Sequence, residues 1–246
     1  MRENWRKIAV VGMMVAAVVL TILTACGSGG GKVPKSSISK TDVEHGTVID
    51  GRDGQSYRTV KIGELVWMAE NINFKTDSSW CYDNDDANCA KYGRLYTWDA
   101  AMVACPAGWS LPDTGHWYNL IELAGGQIVE DEKGSYWKIA GKRLRSKSSW
   151  NICVRYNTNT DSEEYFSCNG NGTDDFGFSA MAGGVAGGNR FDDTIFDSIG
   201  KDGNWWSATQ MDLEDAWAWV MASGTDRVTS EYHNKELGLS VRCVKE

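Results

Sequence analysis

Residues Thr97–Asp113, TWDAAMVACPAGWSLPD, run directly into Thr114–Gly126, TGHWYNLIELAGG, and this stretch decides the class of fold. The segment TWDAAMVAC reads as a first helix. A second follows, in which Asp113 is placed to cap the start, Trp117, Leu120, Ile121 and Ala124 fall on one face, and Gly125 ends it.

Outward from this pair the periodicity shortens. Upstream, SYRTVKIGELVWMAEN (Ser56–Asn71) alternates around Arg58, Val60 and Ile62 until Gly63 turns it, which predicts two strands. After Lys147 the chain becomes rich in loop residues: NTNTDSEEYFSCNGNGTDD (Asn157–Asp175) and MAGGVAGGNRFDD (Met181–Asp193) contain little that builds a long element. Three strand-like pieces close the chain, NWWSAT, DAWAWVMAS and LGLSVRCVKE, the middle one setting Trp217, Trp219 and Met221 on one face and Ala216, Ala218 and Val220 on the other. Two helices with short mixed or antiparallel sheets and long loops make an α+β domain.

The N-terminal residues are of another kind. Arg2, Arg6 and Lys7 precede an uncharged run from Ile8 to Leu23, about 16 residues against the roughly 20 that span a bilayer. Residues 1–25 therefore read as a cleaved export signal. Leu23-Thr24-Ala25-Cys26 resembles the lipobox of bacterial lipoproteins, in which the cysteine becomes the new N-terminus and carries lipid. The implied partner is a membrane held through Cys26, and Gly27 in place of an aspartate favours the outer membrane. Residues 26–46 are small, polar and free of aromatics, a flexible tether; residues 47–246 form the domain.

Removing Cys26 leaves six cysteines, an even set that an exported protein uses for disulfides, with 15 connectivities open. Proximity suggests Cys81 with Cys89 and Cys153 with Cys168, which leaves Cys105 for Cys243. No C-x-x-C occurs, and His45, His116 and His233 are scattered, so no zinc site is expected. The whole chain has a net charge of −8; the first 25 residues hold three basic groups and one acidic, so the remaining 221 carry −10. That balance argues against nucleic acid as a partner.

The pieces DGQSYRTVKIGELVWMAENIN, WCYDNDDANCAKYGRLYTWDAAMVACPAGWSLPDTGHW, NWWSAT and GLSVRCVKE resemble the Fibrobacter major paralogous domain family, FISUMP, from about Val48 to Glu246. The resemblance implies an exported or lipid-anchored protein and an attachment role on plant-fibre polysaccharide. A second resemblance, carried by Trp98, Ala101, Cys105, Gly108 and Leu111, is to C-type-lectin-like domains. It implies a cysteine after the first helix bonded to one in the last strand, which matches Cys105 and Cys243.

The calcium chemistry of those lectins does not carry over. It uses Glu-Pro-Asn or Gln-Pro-Asp, whereas the prolines here are Pro34, Pro106 and Pro112. Asp83, Asn84, Asp85 and Asp86, and Asp174, Asp175, Asp192 and Asp193, offer oxygens without EF-hand spacing and read as solvated loops. No metal and no cofactor is expected. Recognition then falls to aromatic and polar residues near the long loops, with Trp206, Trp217 and Trp219 for stacking and Asn189 and Arg190 for hydrogen bonds.

Three readings follow: a surface-anchored binding or adhesion module for polysaccharide, working without calcium; an enzyme of the formylglycine-generating type, which needs a free pair such as Cys153 and Cys168; and a purely structural envelope protein. No Gly-x-Ser-x-Gly and no Walker loop supports other catalysis. Lipidation is testable directly: Cys26→Ser is expected to move the protein to the soluble fraction and to abolish incorporation of labelled palmitate, and a membrane-bound Cys26→Ser overturns the lipobox reading.

Overall fold

The computed structural model describes residues 43–132, 134–157, 162–188 and 194–246. Alternation makes the first sheet. β1 (Glu44–Ile49) pairs antiparallel with β2 (Ser56–Ile62), and β2 with β3 (Leu65–Met68). In β2, Tyr57, Val60 and Ile62 are buried while Arg58 and Lys61 are exposed. The turn to β3 passes through Gly63 at φ 65°, where a Cβ would lie 2.6 Å from Leu123 Cδ1. β1 begins inside the stretch expected to be tether: Glu44, His45 and Gly46 are strand. Their side chains are exposed, so backbone pairing to β2 forms the strand with no apolar signal to announce it.

Among the described residues the α-helices are α1 (Asp86–Tyr92), α2 (Trp98–Ala104), α3 (Thr114–Leu123) and α4 (Ala140–Leu144). The two expected from sequence are α2 and α3. Thr97 caps α2 by accepting the Ala100 N–H. At α3 the Asp113 carboxylate accepts the His116 N–H at 2.8 Å, and His116 Nδ1 accepts the Asp113 N–H at 3.2 Å, a reciprocal capping box. Trp117, Leu120, Ile121 and Ala124 are fully buried on one face. Gly125, at φ 78°, ends the run.

The large sheet is assembled from distant pieces: β4 (Ser79–Trp80), β5 (Leu95–Tyr96), β6 (Gln127–Asp131), β7 (Gly134–Lys138), β12 (Asp202–Gln210), β13 (Asp215–Ala222), β14 (Val228–Asn234) and β15 (Leu239–Ser240). Along this path the order is β4-β5-β15-β12-β13-β14-β7-β6, antiparallel except for the parallel pairing of β12 with β15, and a hairpin from residues 183–199 joins the same sheet through a second parallel pairing onto β12, Gly184 beside Gly203. β16 (Val244–Lys245) leaves that sheet and joins the first one beside β3. The domain is α+β and mostly sheet.

The segments expected to be loops contain two further hairpins, β8 (Ile152–Asn157) with β9 (Ser162–Ser167), and β10 (Gly183–Gly188) with β11 (Thr194–Ile199). β10 reads GGVAGG, a composition that sequence rules place in loops. Packing explains it: a Cβ on Gly184 would fall 2.4 Å from Asp197 O. Glycine here admits a close neighbouring backbone.

β12 has a core on each side. Trp205 belongs to a cluster with Trp67, Trp117, Trp219 and Phe178, while Trp206 points the other way into a cluster with Tyr96, Trp98 and Val241. Their indole N–H groups donate to Asn71 Oδ1 (2.9 Å) and Tyr96 O (2.7 Å). Between β15 and β16 the chain crosses from one sheet to the other at Arg242, which is fully buried. Its Nε and Nη2 donate to Asn71 Oδ1 at 3.2 and 2.9 Å; Nη1 donates to Met68 O and Phe178 O, and Nη2 also to Ser179 O. Burial pulls the guanidinium down to about 9, which leaves it protonated at neutral pH.

Cysteine pairing staples this frame: Cys81 to Cys89, Cys105 to Cys243 and Cys153 to Cys168. The second joins positions 138 apart in sequence. A loop of that length is worth about 5 kcal/mol on a chain-entropy estimate. Arg242→Met strips donors from four buried oxygens and is expected to cost about 3–5 kcal/mol in chemical denaturation with the disulfides intact. Arg242→Lys, with three donors in place of five, should fall between it and the parent; equal stability of all three would remove Arg242 from this role.

Candidate functional site

One face of the β13–β14 hairpin carries the exposed aromatic surface. Trp217 and Tyr232 are directly opposed across the two strands, ring centroids 5.9 Å apart and planes at 83°. Behind them on the same face lie Trp219, opposite Ser230, and Met221, opposite Val228. α3 covers that inner part: Trp117 stacks on Trp219, and Tyr118 stands edge-on to Trp219 at 5.1 Å and to Trp137 at 5.3 Å. Where the helix cover ends, the face opens. Tyr232 is 56% exposed, Tyr118 is 44% exposed, and Trp217 is half-buried.

A tight turn frames the open end. The Asp212 carboxylate accepts the N–H groups of Glu214 (2.9 Å) and Asp215 (2.8 Å), and these bonds hold it below the usual carboxylate range. Lys235 Nζ ties the turn from the other side, donating to Gln210 Oε1, Asp212 O and Leu213 O at 2.8–3.0 Å. Leu213, at its tip, is 94% exposed. The result is an open aromatic face, its two rings set edge to face, bordered by amide, ammonium and carbonyl groups.

Of the five residues expected to bind ligand, the structure brings only Trp217 to the surface. Trp206 and Trp219 are fully buried, which corrects that expectation: β12 and β13 lie inside the sheet, and remote segments cover both faces. Asn189 and Arg190 lie outside the described residues, as do Asp192, Asp193, Cys26 and residues 1–42. Tyr118 and Tyr232 were missed. Tyr118 adjoins Trp117 on α3 but sits off the apolar stripe, and Tyr232 lies in TSEYHN, whose polar neighbours hide its pairing with Trp217.

A second concave region, a groove of about 700 Å³, is lined by Glu64, Leu65, Asp113, His116, Asn119 and Glu246. His116 Nδ1 lies 2.8 Å from Asp113 Oδ1, and Nε2 lies 3.4 Å from Glu246 Oε1. Sequence reading saw His116 as isolated. Its imidazole is committed to the α3 capping box, so its geometry is that of a helix start. Elsewhere the acidic loops are also engaged: Asp85 caps α1, Asp174 accepts from Ser179 N and Oγ, and Asp175 pairs with Arg143 Nε at 2.8 Å. Among the described residues no group of three or more His, Cys, Asp or Glu is placed to hold a metal ion. The Cys153–Cys168 bond leaves neither sulfur as the free thiol that a cysteine-using enzyme requires.

In comparisons with known proteins, the Fibrobacter succinogenes major domain matches residues 60–245. No curated protein and no solved structure matches the chain.

The two tryptophans of β13 should separate cleanly in stability. Trp219→Ala empties a site packed by Trp117, Tyr118 and Trp137 and is expected to cost about 3–5 kcal/mol. Trp217→Ala, on the open face, should cost about 1 kcal/mol. Urea titrations of both variants check this, and equal losses would mean that Trp217 belongs to the core.

Proposed function

The chain belongs to the Fibrobacter succinogenes major domain family, and from that membership we propose a lipid-anchored, C-type-lectin-like module of the outer membrane that binds neutral polysaccharide without calcium. The observation that carries this reading is the Trp217–Tyr232 pair, open on the β13–β14 face while Trp205, Trp206 and Trp219 of the same sheet are buried. Pyranose rings present apolar C–H faces that stack on electron-rich aromatic rings. An open surface suits the side of an extended sugar chain, whereas a free small molecule binds best in an enclosing cavity. The side-chain amide of Gln210 at its edge supplies a partner for hydroxyl groups.

The net charge of −8 disfavours acidic polymers, which directs the proposal to neutral ones. The lectin-like reading draws support from the Cys105–Cys243 bond, which ties the segment after α2 to the last strands. Lipid on Cys26 would hold the domain at the membrane by a tether short of its first strand at Glu44.

The test is retention on insoluble neutral glucan, such as amorphous cellulose, of the chain lacking its first 25 residues and carrying Cys26→Ser. Retention should survive a calcium chelator. Trp217→Ala should weaken it by 1–3 kcal/mol, about 5- to 150-fold, with the fold intact. Loss of retention on chelation, or full retention by Trp217→Ala with Tyr232→Ala, rejects the proposal.

A further inference from the structure

The Cys81–Cys89 bond has a neighbour that a purely structural disulfide does not need. Arg94 Nη1 lies 3.3 Å from Cys81 Sγ and 3.5 Å from Cys89 Sγ. The guanidinium is fixed there by β4: Nε donates to Ser79 Oγ and Nη2 to Ser79 O, each at 3.0 Å. Among the described residues Arg94 meets no carboxylate. A disulfide sulfur is a weak acceptor, so this half-buried charge gains little from the oxidised pair. It would gain much more from a thiolate, whose formation a neighbouring cation favours.

Cys81 and Cys89 are both buried, and the nearest opening lies on the Cys89 side. A cavity of about 130 Å³ is lined by Cys89, Lys91, Gly93, Asn71 and Met181, with exposed Lys91 adding a second positive charge. Asp86 Oδ1, 3.6 Å from Cys81 Sγ, acts in the opposite sense. It is exposed and screened by water, whereas Arg94 is held against both sulfurs, so the cation dominates.

We propose that Cys81–Cys89 is a reactive disulfide that exchanges with dithiols, and that Arg94 is the positioning residue that stabilises its thiolate. In the first step one thiolate of the incoming dithiol attacks Cys89 Sγ. The Sγ–Sγ bond breaks and its electron pair leaves on Cys81, beside Arg94. The second sulfur of the reagent, having lost its proton, then attacks its partner in the mixed disulfide and releases Cys89. The dithiol ends as a cyclic disulfide, having given up two electrons and two protons; the protein ends with two cysteines, one held as thiolate at Arg94 and its proton in solvent. Reduction also removes the covalent tie between α1 and the turn at Tyr82, which packs on Phe196 of β11, and leaves the bond from Asn88 Nδ2 to Tyr82 O.

The experiment equilibrates the full chain with graded ratios of reduced to oxidised dithiothreitol, quenches with acid, alkylates and maps the peptides. Cys81 and Cys89 should be half-reduced at a ratio at least about ten-fold below that needed for Cys105–Cys243, whose persistence reports an intact fold. At pH 7, Arg94→Gln should raise the ratio for Cys81–Cys89 about ten-fold, because a thiol lowered from about 8.5 to about 6 is by then about nine-tenths thiolate, and Arg94→Lys should recover part of it. In the reduced protein, iodoacetamide should label one of the pair at about pH 6 in the parent and only near pH 8.5 in Arg94→Gln. Opening of this disulfide together with or after Cys105–Cys243, or the same ratio and labelling profile in Arg94→Gln, overturns the proposal. Should Arg94→Gln fail to fold, the order of reduction and the labelling profile of the parent decide it.

Discussion

The buried cation at Arg242 sets the terms for the rest of the domain. A guanidinium taken out of water is costly, and this one is offset by neutral oxygens in place of a carboxylate. Five N–H groups converge on Asn71 Oδ1, Met68 O, Phe178 O and Ser179 O, while the ring of Phe178 lies 4.5 Å from the guanidinium carbon. Three segments must therefore turn their oxygens inward at the same point: the end of β3, the residues after it, and the loop at 178–179. Asn71 extends the network, since Oδ1 also accepts from Trp205 and its amide donates to Tyr92 O and Ser240 Oγ. One cation thus registers both sheets, and the next residue, Cys243, fastens that junction covalently to the end of α2.

With β12 placed centrally by this junction, its two faces cannot both be solvent faces. Trp205 and Trp206 each enter a separate core and each find an acceptor for the indole N–H. Eight of the eleven tryptophans after residue 26 are buried, which makes tryptophan chiefly a packing residue here. Exposure of an aromatic ring then depends on where cover stops, and on the β13–β14 face it stops beyond Tyr118. The platform inherits its rigidity from the packed rings behind it, so little conformational entropy remains to be lost when a ligand lands.

Much of the frame was legible in the sequence. The α3 stripe, its Asp113 cap, the Gly63 turn and the strands around Trp205 and Trp217 all follow from local periodicity and local hydrogen bonds. The cysteine pairs were legible as well, because an even set with two short loops leaves one pair over. What escaped had non-local causes. β10 is strand because neighbouring backbones approach within a Cβ's reach of Gly184, a fact stored in the partner segments. The burial of Trp219 depends on α3, about a hundred residues earlier in the chain, so the alternation of β13 marks which residues share a face but not how far that face is covered. Arg242 reads as one polar residue in a strand-like stretch; its role exists only once Met68, Asn71 and Phe178 surround it.

The three disulfides divide the mechanical labour unevenly, and their surroundings say why. Cys105–Cys243 closes the longest loop beside the buried cation, where opening it would release the junction of the two sheets; Cys243 is fully buried. Cys153–Cys168 joins the strands of one hairpin that is already paired along its length. Cys81–Cys89 instead pins a seven-residue helix, too short to hold itself by its own hydrogen bonds, to a turn beside the β10–β11 hairpin. The helix closed by that crosslink is also the one whose sulfurs face a guanidinium that meets no carboxylate among the described residues. Covalent strength is greatest at the junction of the two sheets, and the exchange proposed at Cys81–Cys89 acts on a short helix that stays tied to that junction, because the Asn71 amide donates to Tyr92 O at its end.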